Sequence, residues 1–140
     1  MKRLGMLVLL LVSLIPLKGG ENTDTMLGVR RFISPDYPDV ARLAQFSGDV
    51  RLLAKVSEDG RVETVDVLSG APILAKYAQE NLLTWHFTNL PKEEKLDVVY
   101  HYRLRGPKIH GPVIPSVSLE SPTEVVIISN PPLPDGGSPE

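Results

Sequence analysis

The fold of this chain is decided by residues 48–70, GDVRLLAKVSEDGRVETVDVLSG, which lie near the middle of 140 residues. Apolar and polar side chains alternate along the first part of this stretch, a pattern typical of a strand with one buried face. Asp59 and Gly60 form a turn signal, because glycine readily adopts positive φ. Val62 to Leu68 then returns as a second strand, so the sequence predicts an antiparallel hairpin. The apolar positions of the first strand are Val50, Leu52, Ala54 and Val56.

Helical patterns flank the hairpin, and a further strand ends the predicted unit. Ser34 and Asp36 supply capping oxygens for a first helix that reaches Phe46, and Pro72 suits the first turn of a second helix. Polar and apolar residues alternate again from Lys95 to Leu104. These parts predict an α+β fold, a small antiparallel three-stranded sheet with two helices packed on one face and with the tail strand as an alternative fourth. The second helix carries an apolar stripe of Leu74, Ala78, Leu82 and Trp85.

Composition and charge exclude several classes of protein. The chain has no cysteine, which excludes disulfide scaffolds, thiolate metal sites and cysteine nucleophiles. The formal net charge is −2 and the basic residues form no patch, so we expect no nucleic-acid partner. Hydrophobic residues make up 42% of the chain, which is enough for a packed core.

No group of residues predicts catalysis, and we expect no catalytic residue, no metal and no cofactor. His86, His101 and His110 lie too far apart in the sequence for a metal-ligand motif. The paired carboxylates Glu58–Asp59 and Glu93–Glu94 fall in predicted turns, where solvated charge is their ordinary role. The sequence therefore does not predict an enzyme.

The first twenty residues have the pattern of a targeting segment. Met1–Arg3 is basic, and Leu4–Leu17 is an apolar run of 14 residues. A helix needs about 20 apolar residues to cross a bilayer, so the shorter run favours a signal peptide over residues 1–20 and an exported protein. The alternative is a short N-terminal anchor retained in the membrane. In either case residues 21–31 are expected to form a short linker.

Residues 106–140 are predicted to form a Pro-rich extended tail, because eight of the 13 prolines follow Arg105. Within this tail a strand is predicted near residues 123–129, where an acidic residue precedes four consecutive β-branched ones. The tail strand comprises Glu124, Val125, Val126, Ile127 and Ile128.

An ordered set of short motifs in residues 32–105 resembles the C-terminal domain of TonB, the energy transducer of Gram-negative outer-membrane transport. No element is specific alone, but their order and spacing behind an export signal favour this family. Tyr37 and Pro38 fix the entry of the first helix, Asp59 and Gly60 close the hairpin, and Trp85 with Phe87 fill the core. The motifs are Pro35-x-Tyr37-Pro38-x-x-Ala41, Gly48-x-Val50, Asp59-Gly60-x-Val62, Ser69-Gly70 and Trp85-x-Phe87.

The resemblance implies a binding module that captures an extended segment, the TonB box, of an outer-membrane receptor. It implies a periplasmic location or, if the N-terminal segment is retained, an inner-membrane anchor with the domain facing the periplasm. In this family the last strand of the sheet offers its edge and backbone hydrogen bonds supply the affinity. Carried over to this chain, the edge belongs to Lys95–Leu104, with Val99, His101 and Arg103 exposed beside it. The alternative role of these three residues is an ordinary solvated strand face.

Two departures from full-length transducers bear on this expectation. Only 13 residues separate Gly20 from Ser34, a reach of about 50 Å when extended, and no basic, proline-rich spacer lies there. We therefore do not expect energy transduction of the usual kind. Inner-membrane proton-channel proteins become candidate partners only if the N-terminal segment is retained.

The second departure is the tail strand, which itself resembles a TonB box. We expect Glu124–Ile128 to add to the edge that would otherwise receive a receptor segment, because an open edge and an unpaired strand in one chain tend to associate. Pairing within one chain gives a self-inhibited site, whereas pairing between chains gives a homodimer by strand exchange or a self-associating structural protein. A permanent fourth strand without regulatory meaning is the remaining alternative.

Overall fold

A computed structural model describes residues 26–134, which form a five-stranded sheet, a two-stranded sheet and two helices. The candidate signal peptide, residues 21–25 of the expected linker and residues 135–140 lie outside the described residues. The elements are β1 (Val29–Arg31), α1 (Asp39–Leu43), β2 (Gly48–Val56), β3 (Val62–Ser69), α2 (Pro72–Leu82), β4 (His86–Phe87), β5 (Glu94–Leu104), β6 (Ser116–Ser121) and β7 (Glu124–Ser129).

The larger sheet has the strand order β3-β2-β5-β7-β6. The predicted hairpin is confirmed, because β2 and β3 pair antiparallel, and β2 also pairs antiparallel with β5. β7 lies parallel to β5, and β6 pairs antiparallel with β7 at the outer edge. β1 and β4 form the separate two-stranded sheet, with β1 inside the expected linker.

The α+β class is confirmed, but the sheet has five strands where three or four were expected. The additional strand is β6, in a part of the tail that was expected to be loop. Val117 and Leu119 alternate there with serine and glutamate, so a weak two-residue period was present in the sequence.

The first helix is shorter than its sequence pattern predicted. α1 begins after Pro38, which makes no side-chain capping bond, and Asp36 Oδ1 instead accepts the amide of Tyr37 at 3.0 Å. The helix ends because Gln45 adopts a φ of 60°, and the amide of Phe46 returns to the carbonyl of Ala41 at 2.8 Å. No helix within residues 26–134 is long and apolar enough to cross a membrane.

The core lies between one face of the five-stranded sheet and the two helices. α2 contacts β2 and β3, while Tyr37, just before α1, packs edge-on against Tyr102 of β5. Alternate residues of β2, β5 and β7 point into this core, as the two-residue period requires. Among the fully buried side chains are Val50, Leu52, Ala54, Val56, Val98, Tyr100, Tyr102, Val125 and Ile127.

Trp85 sits at the centre of an aromatic cluster that is oriented by Asn81. Its ring packs against Phe87 and Tyr100, with ring centroids 5.9 Å away in each case. The indole Nε1 donates to Asn81 Oδ1 at 2.8 Å, and the Tyr100 hydroxyl donates to the same oxygen at 2.7 Å. The polar atoms of Trp85 and Tyr100 are therefore both satisfied by the side chain of Asn81.

Candidate binding edge

The edge of β5 is paired with the chain's own tail, the strand that was expected to add to it. Residues Val99–Leu104 of β5 lie in register with Glu124–Ser129 of β7. The amide of Val99 donates to the carbonyl of Thr123, and the amide of Arg105 donates to that of Ser129, at 3.0 and 2.9 Å. The tail strand thus occupies the position that an added strand would take.

The tail strand presents two different faces. Val125 and Ile127 are fully buried in the core, and Ser129 is 3% exposed beside them. Val126 and Ile128 lie half-buried on the opposite face, next to β5. The strand paired with this edge therefore places β-branched apolar or small side chains at the alternate positions that face the core.

Val99, His101 and Arg103 point away from the helices and are half-buried, not exposed as expected. The difference arises because β7 lies alongside β5 and covers one flank of each side chain. The His101 side chain is 18% exposed and that of Arg103 is 32% exposed. The structure therefore places all three residues at the junction of β5 with the tail strand.

Four charged side chains meet across β2, β5 and β7, and we call them the His101 cluster: Asp49, His101, Arg103 and Glu124. His101 Nε2 lies 2.7 Å from Glu124 Oε2, and His101 Nδ1 lies 2.8 Å from Asp49 Oδ1. Arg103 Nη2 donates to the same Asp49 oxygen at 2.8 Å. The cluster joins three neighbouring strands, and sequence reasoning missed Asp49 as a member.

The His101 cluster favours the charged form of histidine. Both ring nitrogens face carboxylate oxygens, and only the imidazolium carries a proton on each nitrogen. Partial burial lowers the pKa of His101, but the hydrogen bonds to Asp49 and Glu124 outweigh it and the net pKa is raised. The bond from His101, followed by that from Arg103, lowers the pKa of Asp49.

A buried arginine on α1 binds the tail at two places, in the loop after β5 and directly after β7. Arg42 is 2% exposed, and it donates from Nε to the carbonyl of Asn130 at 2.8 Å and from Nη2 to that of Ile109 at 2.9 Å. We call these two bonds the Arg42 clasp. Because a buried guanidinium is costly without partners, the clasp couples the position of α1 to the path of the tail.

Two buried hydroxyls beside the β5–β7 junction have no hydrogen-bond partner among the described residues. They are Tyr102 Oη and Ser129 Oγ, one on each strand. An unsatisfied buried polar group costs about 1–3 kcal/mol, so each hydroxyl weakens the packing of the tail strand.

Replacing Ser129 with alanine is therefore expected to stabilise the protein. The change removes a desolvated hydroxyl and leaves only a small void, so the free energy of unfolding should rise by about 1 kcal/mol. Urea denaturation of the two proteins measures the difference. Ser118→Ala on the exposed face of β6 is the control, for which we expect no change beyond about 0.5 kcal/mol. A Ser129→Ala protein less stable than the parent would contradict the assignment of an orphan hydroxyl.

The sheet has free edges on β3 and on β6, at opposite sides. β3 carries Glu63 and Asp66 and pairs irregularly with β2, features that discourage further pairing. β6 is mostly serine and apolar residues, with Leu119 38% exposed. In the part of the chain that the structure describes, no cluster of His, Cys, Asp or Glu could hold a metal ion.

Comparison with known proteins gives a family and a structural neighbour. The family model for the Gram-negative bacterial TonB protein C-terminal region matches residues 33–105, more than half of the chain. The solution NMR structure of the TonB C-terminal domain from Pseudomonas aeruginosa is 19% identical, with a TM-score of 0.48. That match covers 59% of this chain and 90% of the Pseudomonas one. No curated protein matches the chain.

Proposed function

Because this chain belongs to the TonB C-terminal domain family, whose members serve transport in the Gram-negative envelope without being enzymes, we propose that it is a periplasmic binding module. Its ligands are extended segments of outer-membrane receptors or other extended peptides. They are captured by strand addition along β5, beside Val99, His101 and Arg103. The module works without a cofactor.

The observation that carries this proposal is the strand already seated on β5. β7 is six residues long, lies parallel to β5, and has an acidic residue followed by a β-branched run. It is the same kind of sequence that the family's receptors present. β7 therefore supports the proposal as an internal analogue of the ligand, because its sequence and its pairing with β5 are those expected of a bound segment.

Binding on β5 requires the tail strand to leave. Burial of Val125 and Ile127 contributes about 1.5–3 kcal/mol each, and an incoming segment of similar sequence regains these contacts. It does not regain the pairing of β7 with β6 or the Arg42 clasp. The apparent affinity for a receptor segment is thus reduced by the small fraction of molecules with an open edge.

The competing assignment is self-association through the same edge. Every contact between β5 and β7 could form equally well between two chains, because the two strands are complementary. A protein that exchanged tails in this way would be a homodimer with no free binding edge. Light scattering on the samples described below separates this assignment from a monomeric binding module.

A disulfide between β5 and β7 provides the test of the proposed function. Arg103 and Ile128 are register partners on the face away from the core, and the chain has no cysteine of its own. Arg103→Cys with Ile128→Cys therefore gives a single bridge that locks the tail strand when oxidised. The probe is a fluorescent peptide copy of residues 122–130, and its binding is followed by anisotropy.

We expect the reduced double variant to bind the peptide at least about tenfold more tightly than the oxidised one, because only the reduced edge can open. The matched control is Lys55→Cys with Thr64→Cys, which bridges the β2–β3 hairpin and should leave binding unchanged. Equal binding by locked and reduced protein would rule out β5 as the docking edge. A dimer that persists after reduction and binds no peptide would favour the self-association assignment.

A further inference from the structure

We infer that His101 is the specificity-determining residue of the β5 edge, selecting extended segments that carry a carboxylate at the position Glu124 occupies. This inference rests on the proposed function and names the ligand chemistry of the same site. Asp49 and Arg103 act as positioning residues that hold the imidazole toward β7.

The contact geometry assigns a separate task to each member of the His101 cluster. Arg103 and His101 both donate to one oxygen of Asp49, at 2.8 Å each, so the charge of Asp49 is matched by Arg103. His101 then has its second nitrogen, Nε2, aimed at β7, where it meets the carboxylate of Glu124 at 2.7 Å. The receiving edge of β5 thus presents one uncompensated positive charge at this position.

A side chain that recognises a carboxylate makes binding depend on sequence, which backbone hydrogen bonds between strands do not. Hydrogen bonds between strands are indifferent to sequence, and the core pockets at Val125 and Ile127 accept several β-branched residues. Glu124 is the first residue of the ladder, in register with Val99. Because side chains alternate between faces, a slip by one residue would turn the carboxylate toward the core, so His101 also fixes the register.

The environment of His101 strengthens the preference for an acid. Its side chain is only 18% exposed, so solvent screens the pairing less than at an open surface. The charged groups that face it are Asp49 from β2, Arg103 from its own strand and Glu124 from β7. An apolar residue in place of Glu124 would leave the Nε2–H of the imidazolium without an acceptor. An amide could accept this hydrogen bond but would bring no negative charge to pair with the imidazolium.

The preference should depend on pH in a defined direction. The pKa of His101 is raised in the folded protein, so its stabilising contribution is complete below about 6.5 and is lost as the pH rises through the raised value. The pKa of Asp49 is lowered, so its contribution is lost only as the pH falls below the ordinary range of aspartate. Selection of acidic segments is therefore strongest at pH values above the lowered pKa of Asp49 and below the raised pKa of His101.

The first experiment uses the intact chain and needs no peptide. NMR titration of the histidine rings is compared between the parent and Glu124→Gln. We expect the pKa of His101 to fall in the variant, because the side chain that faces Nε2 no longer carries a negative charge. An unchanged pKa of His101 would overturn the inference.

The second experiment compares two peptides, the copy of residues 122–130 and the same peptide with glutamine in place of Glu124. On the parent chain the acidic peptide should bind about tenfold more tightly at pH 6, with the ratio shrinking as the pH rises. His101→Gln should bind both peptides within about twofold, and His101→Lys should restore the preference without its pH dependence near neutrality.

The outcomes separate this inference from the proposed function. Equal binding of both peptides to the parent chain would refute the selection of a carboxylate by His101. It would not contradict strand addition on β5. Binding of neither peptide, including to the reduced cysteine variant, would refute strand addition on β5 and, with it, a specificity role for His101. A purely structural role of His101 would weaken both peptides equally and would also refute the inference.

Discussion

Replacing Gly60 with alanine is expected to be the most damaging single change in the hairpin, lowering the free energy of unfolding by about 3–5 kcal/mol. Gly60 has a φ of +91°, a region that costs residues with a side chain about 1–2 kcal/mol. A Cβ at this position would also lie 2.0 Å from the Phe87 carbonyl oxygen. Relief would require the turn to separate from β4, where the amide of Phe87 donates to the Gly60 carbonyl at 2.7 Å.

Gly111→Ala is the matched control for this prediction. Gly111 has a nearly identical φ of +90°, and a Cβ there would meet no atom within 4 Å. The free energy of unfolding of Gly111→Ala should therefore fall only by the cost of placing alanine at positive φ, about 1–2 kcal/mol. Thermal and urea denaturation of both variants gives the comparison. If Gly60→Ala lost no more stability than Gly111→Ala, the close approach of the turn to β4 would be wrong.

Replacing Arg42 with methionine is expected to destabilise the protein and to increase peptide binding together. Methionine keeps much of the apolar stem but leaves the carbonyls of Asn130 and Ile109 without their charged donor, a loss of about 2–4 kcal/mol. Because the two lost hydrogen bonds hold the tail in place, the tail strand should leave β5 more often, and a larger fraction of molecules should have an open β5 edge. We expect the peptide copy of residues 122–130 to bind about tenfold more tightly or better.

The control for Arg42→Met is Arg51→Met, which removes an arginine from an exposed ion pair. Arg51 lies 3.9 Å from Asp97, and more than half of each side chain is exposed, so the loss should stay below about 1 kcal/mol. Peptide affinity should not change in this variant. Loss of stability in Arg42→Met without any gain in peptide affinity would show that the Arg42 clasp does not control the edge.

The sequence predicted those parts of the fold whose signals are local. The β2–β3 hairpin follows from alternation on either side of Asp59–Gly60, and α2 follows from one apolar stripe after Pro72. α1 was overestimated, because residues after Leu43 keep a helical spacing while Gln45 leaves the helix. β6 was missed because two apolar residues among serines give too weak a period.

The site depends on long-range contacts that no local pattern encodes. A strand at Glu124–Ile128 was predicted, but its parallel register with β5, and hence the contact of His101 with Glu124, emerges only in three dimensions. Arg42 reads as a solvated helix residue in the sequence, and it is buried only because the tail returns over α1. The family resemblance drew attention to the edge of β5, whereas the strand paired with that edge lies outside the matched region.

The free edge of β6 has a consequence for the behaviour of the protein at high concentration. The strand lacks lysine and proline, the residues that commonly protect an edge from aggregation. Two copies paired antiparallel about Ser118 would set Val117 of each against Leu119 of the other and keep the two Glu120 side chains apart, so the pattern is self-complementary. Because the tail covers β5, the outer edge of the sheet on this side is that of β6. We expect pairing between copies along β6 to limit the solubility of the protein at high concentration.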